Sequence, residues 1–252
     1  MTNDVLNPPI KENAPAKEEV KANNINKSAS HNGQGHRQRL RTRLLENGGN
    51  ALQDYELIEY LLALAIPRRD TKALAKSLLY DFGGLTGLLT ANSDKLMAYQ
   101  GMGETSTAAL KIVQAAALRL LKEPLKTRPV LASWQSVLDY LRADMAHLEV
   151  ERVRILYLNT KNMLIRDEMT GDGSIDQAAI YTREVIRKAI ELSAAAIIIV
   201  HNHPSGDFSP SKQDINITKD IIIAGQKLGI AVHDHIIISS KGHFSMKSAG
   251  LI

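Results

Sequence analysis

IIIVHNHPSGDFSPSKQDI, residues 197–215, is the stretch on which the fold turns. It opens on four apolar β-branched residues, the signature of a buried strand. Side chains alternate along extended backbone, so His201 and His203 project to one side. Pro204, Ser205 and Gly206 then break the strand. Ser211 and Asp214 follow, three apart at a helix start, where such a pair forms a capping box. A capping carboxylate uses one oxygen, and the loop between can fold the other back towards the histidines. A lone His-x-His is common by chance, and a lone Ser-x-x-Asp is a cap. Together, two neutral imidazoles and one carboxylate make a three-ligand set with a fourth position for water, as catalytic zinc requires. The reading is one Zn2+ per chain on His201, His203 and Asp214. It implies a water whose pKa is brought to about 7.

Outward from this stretch, helical and extended patterns alternate. Ser133–Met145 reads as an amphipathic helix, ERVRILYLN and MLIRDEMT as strands joined by a turn at Lys161-Asn162, and Gly171 and Gly173 as a loop. Thr182–Leu192 and Ser211–Leu228 read as helices, IAVHDHIIIS as a strand and GHFSM as a short final one. The class is α/β, or α+β. EPLKTRP, residues 123–129, holds two prolines and predicts a linker, so residues 130–252 stand as one domain.

Residues 36–122 predict a small all-helical domain. Asp54 is placed as a cap to a helix carrying Leu57, Ile58, Leu61 and Leu62, which Pro67 stops. Two further helices flank Gly101-Met102-Gly103, an arrangement like a helix-hairpin-helix, whose glycine turn can offer N–H groups to a nucleic-acid phosphate. Glu104, Thr105 and Ser106 follow the turn where a nucleic-acid binder would carry Lys or Arg, so packing is the favoured reading. Residues 36–129 nonetheless hold 14 basic and 9 acidic side chains, against 13 and 14 in residues 130–252. That keeps nucleic acid open as a partner of the helical domain. Residues 1–35 lack apolar periodicity and predict a disordered tail. Absence of cysteine excludes disulfides, Cys-based zinc sites and a cysteine nucleophile. No apolar run of about 18 residues and no signal-peptide core are present, which predicts no membrane partner and a cytoplasmic protein.

His201-x-His203, seven intervening residues, Ser211 and then Asp214 resemble the JAMM motif of the JAB1/MPN metalloprotease superfamily. The wording HNHPSG, with YTREVIRKAIELSAAAIIIV before it and LGIAVHDHIII after it, is similar to the bacterial RadC-like branch, historically labelled DNA repair proteins. The likeness covers about residues 36–252. It implies a mixed sheet flanked by helices, behind a helical domain. It also implies hydrolysis of an amide or isopeptide in a peptide or protein substrate. A glutamate on an early strand would serve as general base, best matched by Glu151, with Glu149 and Glu184 as rivals. Glu184 falls in a helix where Arg187 or Lys188 can pair with it. Ser211 would support the oxyanion or the site geometry. Asn202 stands where eukaryotic relatives carry Ser or Thr, which weakens any transfer of ubiquitin-type specificity. Asp234 and His235 read as groups behind the ligands or in the core, and His243 as an ordinary polar residue. The alternative is a DNA-associated factor whose helical domain binds nucleic acid and whose metal site is structural or acts on DNA.

Overall fold

The computed structural model describes residues 35–170 and 180–252. The tail predicted over residues 1–35 falls outside them except for its last residue, and the Gly171–Gly173 loop lies outside them entirely. The chain divides into two compact units at residues 73 and 74. In the first, α1 (35–47) and α2 (Asp54–Ala65) enclose Leu40, Leu52, Ile58 and Leu62. Arg43 pairs with buried Glu56 at 2.8 Å. Asp54 is not the cap. Gln53 holds that position, because the Glu56 carboxylate accepts the Gln53 N–H at 3.0 Å and closes a capping box one residue earlier. Ile66, ahead of Pro67, leaves the helix as the proline ring demands.

α3 (Lys72–Asp81) leads into the second unit, followed by α4 (Leu85–Thr90), α5 (Ser93–Ala98) and α6 (Glu104–Thr127). Gly101, at φ 93°, makes the turn between α5 and α6. The Gly103 N–H donates to Ser106 Oγ and the Met102 N–H to the Tyr99 carbonyl, so both are committed within the chain.

The expected linker is helix instead. α6 runs through Pro124 to Thr127 because its last turns are buried: Leu125 is fully enclosed, and Lys122 reaches Asp167 at 2.5 Å. That burial outweighs the single backbone hydrogen bond a proline forfeits.

α7 (Trp134–Met145) precedes β1 (Val153–Leu158) and β2 (Leu164–Thr170), which form a hairpin. Asn159 Oδ1 accepts the N–H groups of Lys161 and Met163, and Asn162 takes a positive φ, so the turn sits where its asparagines allow. α8 (Thr182–Glu191), β3 (Ala196–Asn202), α9 (Lys212–Gln226), β4 (Ala231–Ser239) and β5 (Gly242–Ser245) complete the unit. The sheet is mixed, in the order β2-β1-β3-β4-β5, with β3 and β4 parallel and the other pairs antiparallel. α9 is the crossover that a parallel pair needs.

Both faces are covered. Leu156, Leu158, Ile198, Val200, Ile236 and Ile238 pack against α7 and the end of α6. Val153, Ile155, Tyr157, Ile197 and Ile199 pack against α8 and α9. This explains why β3 is apolar from Ala196 to Val200 rather than alternating. Residues 74–252 are thus α+β, and no helix among the described residues is long and apolar enough to cross a membrane.

Candidate metal centre

β3 ends at His201 and Asn202, and the turn to α9 begins at once. The His203 N–H still pairs with the Ile238 carbonyl of β4, at 2.9 Å. Gly206, at φ 84°, then turns the chain, a conformation that favours glycine. His201 lies on the α9 face of the sheet, buried to 1% exposure. Its Nε2 is 2.9 Å from His203 Nε2, so the two rings meet as alternation requires.

Glu151 arrives through strand register. β1 and β3 run antiparallel with Val153 opposite His201. Two residues further along the same register, Glu151 falls opposite His203. Asn202 fixes that stretch: its Oδ1 accepts the Arg152 N–H at 2.8 Å, and its Nδ2 donates to the Val150 carbonyl at 3.2 Å. The residue between the histidines therefore clamps the backbone on both sides of Glu151. Its identity alone gave no hint of this. Ligand atoms of Glu151, His201 and His203 lie within 4.8 Å of one another and could hold a metal ion.

Asp214 stands outside that group of three and joins it through His201. Its Oδ2 accepts the Ser211 N–H at 2.8 Å and the Ser211 hydroxyl at 2.6 Å, while Ser211 Oγ accepts the Asp214 N–H. The other oxygen, Oδ1, is 3.6 Å from His201 Nε2. One oxygen caps and one faces the site. The Ser211 hydroxyl proton is spent on Asp214, so Ser211 holds the geometry of that carboxylate.

The rivals of Glu151 are engaged elsewhere. Glu149 is exposed and pairs with Lys95 at 2.5 Å. Glu184 is exposed on α8 and pairs with Arg187 at 2.9 Å. Asp234 accepts the His235 and Lys247 N–H groups and the Ser245 hydroxyl, pinning β5 and the chain end. His233 bonds Asn162 Oδ1 in the β1–β2 turn at 2.7 Å. His243 is exposed on β5.

The hydrogen-bond partners fix how the rings present themselves. His203 Nδ1 lies 2.8 Å from the Asp207 carbonyl, which can only accept, so the proton sits on Nδ1 and the Nε2 lone pair is bare. Burial holds His201 down to about 4, with Asp214 raising it and His203 lowering it by smaller amounts. The ring is therefore neutral at pH 7. Two imidazole nitrogens and a carboxylate oxygen converge here, and each can offer a lone pair. Such a donor set fits a metal ion. The 2.9 Å between the nitrogens also approaches the about 3.3 Å spanned by two ligands of a tetrahedral ion at about 2.0–2.1 Å.

Glu151 is raised above the usual carboxylate range, chiefly by burial; His203 lowers it and Asp214 raises it. A half-buried carboxylate of raised affinity for protons, beside a cation site, is equipped to take a proton and return it.

These shifts carry a stability consequence. His201 and His235 are both depressed from 6.5 by burial. Below pH 6.5 the unfolded chain binds protons at these rings that the folded chain refuses. The metal-free protein thus loses stability as pH falls from 6.5 towards about 4 and keeps it above that window. The thermal midpoint is expected to fall more steeply over that range than in His201→Gln; parallel curves would show that the ring adds nothing.

A mixed sheet bearing His-x-His, a capping aspartate and a glutamate in register defines the class, and comparison agrees: residues 131–251 match the RadC-like JAB domain. Residues 34–108 match the UPF0758 N-terminal family. A UPF0758 protein of Rhodobacter capsulatus is 46% identical over 213 residues, covering 84% of this chain and 100% of the relative. One from Ruegeria pomeroyi is 44% identical over 217 residues, covering 86% and 97%. The chain belongs to the UPF0758 family.

Proposed function

We propose that the protein is a zinc-dependent hydrolase of the JAMM type, a metallopeptidase. His201, His203 and Asp214 would hold the ion and Glu151 would act as general base. The reading is carried by the convergence of two imidazole nitrogens and a carboxylate oxygen at the end of β3, with a half-buried carboxylate in register opposite them. A bound zinc would polarise a substrate carbonyl and make water acidic enough to supply hydroxide near neutral pH.

The chain's own residues do the rest. Glu151 takes a proton from the attacking water and delivers it to the leaving amine nitrogen as the amide C–N bond breaks. Asn202 keeps Glu151 at that position through the backbone on either side. Ser211 keeps the second oxygen of Asp214 occupied, so the first stays directed at His201. Zinc suits a set of two imidazoles and a carboxylate that leaves one position open.

Residues 130–252 would be the catalytic domain, with the last turns of α6 supporting its sheet. The test is to offer the zinc-loaded protein a peptide library and DNA of both strandedness, beside Glu151→Gln. Cleavage of peptides alone, lost in the variant, supports the proposal. Cleavage of DNA alone would move the site to a different substrate class.

A further inference from the structure

β3 and β4 do not pair evenly. Ile197 faces Val232, but Ile198 faces Asp234, so His233 is an extra residue in β4. Side chains alternate, so this bulge moves every later residue of β4 to the opposite face of the sheet. Val232 packs with the α9-side core. Without the bulge Asp234 would follow it there, and His235 would point towards α7. With it, His235 sits on the α9 face, fully buried, with its Nε2 2.8 Å from His201 Nδ1.

The other nitrogen of His235, Nδ1, lies 2.6 Å from Thr218 Oγ1. Thr218 is itself buried on α9, one helical turn beyond Asp214, and its hydroxyl donates to the Asp214 carbonyl at 2.5 Å. A hydroxyl has one proton. It is spent on a carbonyl that can only accept, so His235 must bring its own proton on Nδ1. Its Nε2 is then bare and accepts from His201 Nδ1–H. His201 is left with its Nε2 lone pair facing His203 and Asp214.

We propose that Thr218 and His235 are positioning residues that set the polarity of this chain of hydrogen bonds and so hold His201 in its metal-binding tautomer. The idea rests on the metal-site reading above. It adds that two of the proposed ligands are coupled: the backbone of Asp214 orients Thr218, Thr218 orients His235, and His235 orients His201. Partners of this kind change metal affinity by about 10–100-fold when removed.

The direction of the chain matters more than its existence. Valine has the shape of threonine without the hydroxyl. In Thr218→Val the His235 Nδ1–H faces a methyl group, and the buried ring does better with its proton on Nε2. It then donates to His201 Nδ1, and His201 must carry its proton on Nε2, where His203 Nε2, 2.9 Å away, can receive it. The nitrogen that should bind the ion is blocked.

Two measurements on the full chain test this. Long-range 1H–15N spectra of metal-free protein report which nitrogen of each histidine is protonated. His201 and His235 are expected on Nδ1 in the wild type and on Nε2 in Thr218→Val, with Thr218→Ser restoring the wild-type pattern. Zinc affinity, by chelator competition, is expected to fall about 10–100-fold in the valine variant and to recover with serine. A wild-type His201 protonated on Nε2 overturns the proposal by itself, whether or not the valine variant folds. So does a serine variant that behaves like valine, which would assign the effect to packing. A wild type that shows the expected tautomers but binds no zinc would defeat the metal-site reading and leave the polarity assignment standing.

Discussion

Replacing Glu151 with glutamine is expected to lower peptide hydrolysis by about 10²–10⁴-fold while zinc stays bound. Glutamine keeps the length and shape of the side chain and loses only the ability to take up a proton. If Glu151 is the base, the attacking water has nowhere to send its proton and the leaving amine receives none. Glu151 is well placed for both transfers. Burial raises it above the usual carboxylate range, and the backbone on either side is held by Asn202. Its atoms also lie close enough to His201 and His203 to serve as a ligand. The two readouts separate these roles. Zinc retained with activity lost supports a base; zinc lost as well makes Glu151 a ligand; full activity removes it from the chemistry.

The second large effect concerns stability. Arg154 of β1 lies on the α7 face at 7% exposure. It donates to Asp167 at 2.6 Å and to the Tyr140 hydroxyl at 2.6 Å, and it also pairs with Asp144. Lys122 approaches Asp167 from α6, and the Tyr140 hydroxyl donates to the same carboxylate at 2.7 Å. Two cations and two carboxylates balance here, with Arg154 and Asp167 buried at the centre and Lys122 and Asp144 at the partly exposed edge. Burial alone would raise Asp167, yet Arg154 and Lys122 outweigh it and the carboxyl lies below its ordinary range.

Arg154→Met removes one cation and leaves the Asp167 carboxylate buried with Lys122 as its one remaining cation, so it is expected to cost about 3–5 kcal/mol of unfolding free energy. Arg154→Met combined with Asp167→Leu should recover much of that loss, because the charges left behind, Lys122 and Asp144, are partly exposed and can be solvated. Urea unfolding of both variants measures it. A single variant within about 1 kcal/mol of wild type would show that the network is solvated rather than sealed.

Much of this molecule was legible from residue order. The apolar run of β3, the glycine and proline breaks and the capping box located the strands and most helices among the described residues of 130–252. His201, His203 and Asp214 come together because each obeys a local rule: alternation for the histidines, capping for the aspartate. Glu151 needed the resemblance, since its place depends on the β1–β3 register.

What the sequence hid is tertiary. Pro124 looked like a helix stop and is carried by burial of Leu125 and the Lys122–Asp167 pair. The Arg154 network draws on residues 122, 140, 144, 154 and 167, with no spacing in common. The bulge at His233 leaves no local mark, yet it decides which face His235 joins. Thr218 had one visible sign, since it lies a helical turn beyond Asp214 and so shares its face.

Zinc content after equilibrium dialysis, read by elemental analysis, tests whether His201, His203 and Asp214 hold a metal ion in this chain. The wild type is expected to hold about one zinc per chain, and His203→Ala and Asp214→Asn well below that. A wild type that retains none, or a His203→Ala variant that keeps the full amount, would remove the proposed metal site.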